Sequence, residues 1–181
     1  MHERRFQGAL ERLRSPQRVA MLEVERVADA CLNDLLASTV VDVGTGSGIF
    51  AEAFANRSLQ VTGVDPNPEM LDAAKHFVPQ GTFVEGTIEV LPFEDRSFDL
   101  VFLGHVLHES DDLLQALKET HRVARHRVGI LEWPYRKEES GPPIEHRLSS
   151  EKIIAAAEQA GFAKIESLQL QHMILFLLSV Y

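Results

Sequence analysis

At 181 residues and 45% apolar content, the chain is sized for one domain with its own core, and its net charge of −9 without a dense basic stripe argues against a nucleic-acid partner. The single cysteine, Cys31, excludes an internal disulfide and a multi-cysteine zinc site. The opening residues lack a signal-like apolar segment, and the longest apolar run, Met173 to Val180, is far too short for a bilayer. No membrane partner and a cytoplasmic location are therefore expected.

In chain order, Phe6, Ala9, Leu10 and Leu13 suit an amphipathic helix over residues 4–13. Ser15-Pro16 supplies an N-cap with proline at the first helical position, opening a second helix to about Leu36. Cys31 falls among its apolar residues and reads as core. These helices should cover an edge or the mouth of a sheet. Thr39 to Val43 reads as a buried strand. Gly44, Gly46 and Gly48 follow, and Ile49, Phe50, Ala53 and Phe54 then recur at helical spacing. Strand, glycine turn, helix is a geometry that brings bare N–H groups and a helix N-terminus up to a ligand.

Leu59 to Val64 forms a second strand ending at Asp65, and Asn67-Pro68 caps a helix that carries Met70, Leu71, Ala74 and Phe77. Thr82 to Val84 is a short third strand, and 86–97 is a loop. Phe98 to Leu103, almost wholly apolar, is a central fourth strand. Ser110, Asp111 and Asp112 open a helix to about Ala124, where the basic cluster from His121 to Arg127 reads as its solvated end. Val128 to Glu132 is a fifth strand. Residues 133–148 form the longest irregular stretch. Ser149 starts a last helix with Gly161 as C-cap, and Ile165 to Leu170 and Ile174 to Tyr181 should pair antiparallel. The alternation predicts a single α/β domain. Residues 1–37 supply N-terminal helices. Residues 38–181 supply a cofactor-binding core, a doubly wound, mostly parallel, seven-stranded Rossmann-like sheet with an antiparallel last strand and helices on both faces.

In such a sheet the ligand lies beyond the carboxyl ends of the strands. Asp65, ending the second strand, can accept hydrogen bonds from both hydroxyls of a ribose. The glycines run G-x-G-x-G, and Ile49 stands where a dinucleotide fingerprint needs its third glycine. Asp42, two residues before the first glycine, is unwelcome beside a pyrophosphate and useful beside a cationic amino group. A ligand combining ribose, ammonium and sulfonium is S-adenosylmethionine.

Five stretches carry a family resemblance: V-V-D-V-G-T-G-S-G at 40–48, V-T-G-V-D-P-N-P-E-M-L at 61–71, the run from Gly86 to Phe102, G-H-V-L-H-E at 104–109, and A-G-F at 160–162. The chain resembles class I S-adenosylmethionine-dependent methyltransferases of the small ubiquinone/menaquinone type, from about residue 38 onward. The resemblance implies that Asp42 and the backbone of Gly44, Thr45 and Gly46 hold the methionine end, with Gly48 letting the helix start close by. Asp65 would take the ribose, with Pro66 and Asn67 beside the adenosine. Thr87 stands where the family usually has an acid near the adenine amino group, and accepts that hydrogen bond more weakly. Ile88 would pack on the adenine, and Gly104 would lie against the methionine moiety. A second departure is V-A-R-H-R-V at 123–128, where the family often has a lysine-proline-glycine-glycine turn.

The expected reaction is methyl transfer to a small-molecule acceptor, with a homodimer allowed for. His105 and His108 are the candidate general bases, although they also read as a capped strand end and a partly buried helical histidine. The H-V-L-H pair lacks a further metal ligand, so no metal is expected. Trp133, Tyr135 and His146 are the candidate acceptor-binding residues. Two other readings stay open: a cofactor-binding domain that no longer catalyses, and an NAD(P)-dependent oxidoreductase, which the glycine spacing disfavours.

Overall fold

Which strands lie at the centre follows from which are apolar on both faces. A computed structural model describes residues 10–137 and 140–181. Its strands are β1 Thr39–Val43, β2 Gln60–Asp65, β3 Thr82–Glu85, β4 Phe98–Gly104, β5 Ala124–Glu132, β6 Lys164–Gln169 and β7 Ile174–Ser179. They form one sheet in the order β3-β2-β1-β4-β5-β7-β6. Pairing is parallel from β3 through β5, and β7 runs antiparallel to both neighbours. β4, buried along nearly its whole length, sits in the middle, whereas β3 and β6, rich in exposed polar residues, take the edges. The expected α/β architecture is the observed one.

Among the described residues, seven helices cover the sheet: α1 Leu10–Leu13, α2 Pro16–Met21, α3 Val24–Leu32, α4 Ile49–Ala55, α5 Pro68–Phe77, α6 Leu113–Val123 and α7 Ser150–Ala160. Alternate residues of each central strand feed opposite cores. Val41, Val101, Leu103 and Ile130 pack with α6 and α7; Val40, Leu100, Phe102 and Leu131 pack with α3 and α4. Phe102 meets the rings of Phe50 and Phe54 at 4.5 and 5.4 Å. Burying each such side chain contributes about 1.5–3 kcal/mol. Cys31 is core as expected, and its burial pushes the thiol up to about 12, so it stays protonated and unreactive.

The caps at Ser15, Asn67, Ser149 and Gly161 all form where the sequence placed them. Other expectations need correction. The proposed helix over residues 4–13 lies outside the described residues before Leu10. The next helix does not run unbroken to Leu36; it splits at Glu23, in left-handed backbone with φ 47°, and ends at Leu32. Leu22 and Val24 would face different sides of a continuous helix, and the break lets both be buried. Leu36 is 99% exposed. Phe77, at the end of α5, is exposed, with the Arg14 guanidinium 3.5 Å from its ring centre. A 3-10 turn over Leu107–Glu109 delays α6 to Leu113, where Asp112 caps it. The chain passes from α6 straight into β5, which puts Arg125 and Arg127 on a strand instead of a helix end.

Candidate functional site

A cavity of about 940 Å³ opens beyond the carboxyl ends of β1, β2 and β4, where the strand order reverses. The turn after β1 folds onto β2 because Gly44 and Thr45 donate their N–H groups to the Val64 carbonyl at 2.8 and 2.9 Å. Gly44 and Gly48 have φ of +68° and +76°. A Cβ on Gly44 would stand 2.6 Å from Val106, and one on Gly48 would stand 2.9 Å from the Ala74 Cβ, so these two positions exclude side chains by space as well as conformation. Asp65 is fixed at the end of β2. Its Oδ2 accepts from Gly46 N–H and its Oδ1 from Asn67 N–H, both at 2.9 Å.

Gly44, Gly46, Asp65, Pro66, Asn67, Thr87, Ile88 and Gly104 all line this cavity, as do His105, His108, Trp133 and His146. Residues far apart in the sequence are thus brought together. Four of the expected site residues do not line it. Asp42 turns inward, its Oδ2 accepting from Thr45 Oγ1 at 2.7 Å and Ala51 N–H at 3.2 Å, so it braces the turn against α4. Burial pushes its pKa up to about 7, against the pull of those hydrogen bonds. Thr45 is spent on that bond, Gly48 on the contact with α5, and Tyr135 is 54% exposed outside the cavity.

At the other end of the cavity, His105 follows β4 in left-handed backbone, φ 60°, with its N–H bonded to the Leu131 carbonyl at 2.9 Å. Its ring stacks on Trp133 at 5.0 Å and its Nε2 faces Met173 Sδ at 3.2 Å. Burial lowers its pKa to about 3, which leaves a neutral, very weak base. The residues over this end are held by Arg147. Its buried guanidinium donates to the carbonyls of Pro134, Arg136, Ser140 and Pro142 at 2.8–3.1 Å and lies 5.2 Å from the Trp133 ring. Arg147→Ala is expected to leave the sheet intact and make the bond after Arg136 cleavable by trypsin in the folded protein. It should cost about 3 kcal/mol in thermal unfolding, since four carbonyls lose a charged donor. Cleavage no faster than wild type would refute that role.

Sequence reasoning missed several contributors. Arg12, Arg18 and Met21, from the N-terminal helices, also line the cavity, and burial together with the Arg12 charge lowers the Arg18 pKa. Glu132 lies behind His108, with Oε2 2.8 Å from Nδ1. An acid closing the apolar run V-G-I-L was the available signal for it.

A glycine turn facing a carboxylate at the end of the next parallel strand marks a nucleoside-binding, doubly wound domain. Residues 41–130 match the family described as a methyltransferase domain. A demethylmenaquinone methyltransferase of Chlorobaculum tepidum is 42% identical over 87 residues, covering 48% of this chain and 36% of that protein. An uncharacterized methyltransferase of Mycobacterium tuberculosis is 37% identical over 107 residues, covering 58% of this chain and 43% of that protein. The chain thus spans less than half the length of these curated relatives. In fold it is similar to a SAM-dependent methyltransferase from Aquifex aeolicus, with a TM-score of 0.82 at 22% identity over 95% of this chain and 97% of the other. Residues 41–130 thus carry a methyltransferase domain, and the chain has the fold of S-adenosylmethionine-dependent methyltransferases. Among the described residues, no helix is long and apolar enough to cross a membrane.

The cavity suits the family's cofactor. Bare backbone at Gly44 and Gly46, a fixed carboxylate at Asp65, and apolar surface from Ile88, Pro66 and Met70 are what its amino-acid end, ribose and adenine require.

Proposed function

We propose that this chain transfers a methyl group from S-adenosylmethionine to a small-molecule acceptor held in the same cavity. The observation that carries the reading is the join between the glycine turn and the second strand. Gly46 N–H donates to Asp65, so one rigid unit presents bare backbone on one side and a ribose acceptor on the other. Asp65 would accept the ribose hydroxyls, Thr87 would face the adenine amino group, and Ile88 would pack on the ring. Gly44 and Gly104 would let the methionine end approach the backbone. Asp42 would act through the turn it braces rather than by contact.

When bound, S-adenosylmethionine supplies an electrophilic methyl group on a positively charged sulfur. The protein's share is to align the acceptor and exclude water. Trp133, His105 and His146 line the acceptor end, roofed by the stretch that Arg147 ties down. About 940 Å³ leaves room for a small acceptor beside the cofactor, and the acidic chain favours a small molecule over nucleic acid. The Chlorobaculum relative is named for demethylmenaquinone, and the matched span covers only 36% of it, so its acceptor is not carried over.

Calorimetric titration with S-adenosylmethionine, S-adenosylhomocysteine and NAD tests the cofactor. Binding of both sulfur compounds at about micromolar affinity, without NAD binding, is expected. Binding of neither below about 1 mM would overturn the reading. Transfer of tritiated methyl to small acceptors then separates an active enzyme from a domain that only binds.

A further inference from the structure

His108 and Glu132 form a pair that cofactor binding does not use. His108 stands on the 3-10 turn just beyond β4, and Glu132 ends β5, the adjacent parallel strand. Three groups converge on the Glu132 carboxylate: His108 N–H at 3.1 Å, His108 Nδ1 at 2.8 and 3.1 Å, and Trp133 N–H at 3.3 Å. Glu132 is only 2% exposed and does not line the cavity; His108 does. With a carboxylate against it, Nδ1 carries the ring proton and Nε2 is left as the basic nitrogen. Among the described residues, Nε2 has no hydrogen-bond partner.

A buried carboxylate is a costly way to hold a ring in place, because its desolvation is offset only when the partner takes up positive charge. The arrangement therefore suits a histidine that gains a proton during its work. The remaining charged and titratable groups acting on the pair are Glu109 on the same turn, His105 and Arg147. His105 is neutral, and Arg147 opposes a positive His108 while occupied with loop carbonyls. Burial disfavours the imidazolium, but the Glu132 charge and hydrogen bond outweigh it and raise the His108 pKa; the same attraction holds Glu132 low despite its burial.

Resting on the methyl-transfer reading, we propose that His108 Nε2 removes the proton of an acidic hydroxyl on a flat acceptor, with Glu132 as its positioning residue. The flat shape follows from the His105 ring, which lies in the cavity wall backed by Trp133. The acceptor O–H bond breaks as Nε2–H forms. The freed oxygen pair bonds the methyl carbon, and the carbon–sulfur pair returns to sulfur, leaving a neutral thioether. The imidazolium then gives its proton to water. Acceptors with no proton to lose, such as sulfides and tertiary amines, need no such pair.

The test follows the His108 ring nitrogens by NMR from about pH 5 to about pH 9, with S-adenosylhomocysteine present. Wild type, Glu132→Gln and Glu132→Asp are compared, each checked for folding by thermal unfolding. Wild type should titrate above free histidine, Glu132→Gln about tenfold more weakly, and Glu132→Asp near wild type. In methyl transfer to matched phenols and anilines, the rate on phenols should rise with pH through that same titration. It should fall about 100-fold or more in His108→Asn, with S-adenosylmethionine affinity unchanged. An unchanged titration in Glu132→Gln overturns the positioning role. Phenol transfer within about threefold of wild type in His108→Asn, or transfer to anilines alone, overturns the proton acceptor and its hydroxyl. A wild-type protein that binds S-adenosylmethionine yet methylates no phenol does the same. One that does not bind the cofactor sinks the methyl-transfer reading instead, while the NMR comparison still decides the pair.

Discussion

An Asp65→Ala protein is expected to lose about 100-fold or more in affinity for S-adenosylmethionine while staying folded. Two hydrogen bonds from ribose hydroxyls to a carboxylate stabilise a complex by about 1.5–3 kcal/mol each. The side chain does a second job, since its oxygens also fix the N–H groups of Gly46 and Asn67. Its removal loosens the turn that is proposed to meet the amino-acid end. Asp65→Asn keeps one acceptor oxygen and should fall between, at about tenfold. Calorimetry gives the affinities and thermal unfolding checks the fold. An alanine variant binding as tightly as wild type would remove Asp65 from the cofactor site.

At the opposite end of the sheet, Asp99→Ala should have the largest effect on stability, a loss of about 3–5 kcal/mol. Asp99 sits near the start of β4, and its Oδ2 accepts from the N–H and hydroxyl groups of both Ser38 and Thr39 at 2.9–3.0 Å. Arg125, on β5, donates to Oδ1. One carboxylate thus ties together the starts of three neighbouring strands, and alanine leaves their donors without it. With a drop of about 2–4 °C per kcal/mol in a domain of this size, the melting temperature should fall by about 10 °C. Burial works against the ionised form, but the four hydrogen bonds outweigh it and hold the Asp99 pKa well below 3.8. A depressed carboxylate stabilises the fold above its ordinary pKa, and that contribution is lost as pH falls below it. The gap between wild type and variant should therefore narrow on acidification below about pH 4. A constant gap would show that the charge of Asp99 contributes nothing to folding.

Much of this was legible in the sequence because its causes are local. A β-branched or wholly apolar run reads as a strand whatever lies around it, and Thr39 to Val43 and Phe98 to Leu103 behaved so. The caps at Ser15, Asn67 and Ser149 and the left-handed Gly161 depend on a few adjacent residues. Glycines at 44, 46 and 48 and an acid ending the next strand are likewise local signals, and a doubly wound sheet brings such strand ends to one edge. That is why most of the expected cofactor residues share one cavity.

The rest was settled between elements. Asp42 looked like a ligand contact from its place before the glycines, yet Thr45 and Ala51 take its carboxylate inward, since a buried charge goes to the nearest donors. The helix break at Glu23 answers the packing of Leu22 and Val24, which no helical propensity reports. His108 and Glu132 stand 24 positions apart and meet because β4 and β5 pair in a register that puts Gly104 beside Leu131. From its own residues, then, the sequence determined the sheet and the edge of it where the glycine turn and Asp65 meet, because periodicity, caps and turns act over a few residues. Only the tertiary structure decided which side chains face the cavity and which brace it, because register and helix packing join residues that the chain keeps apart.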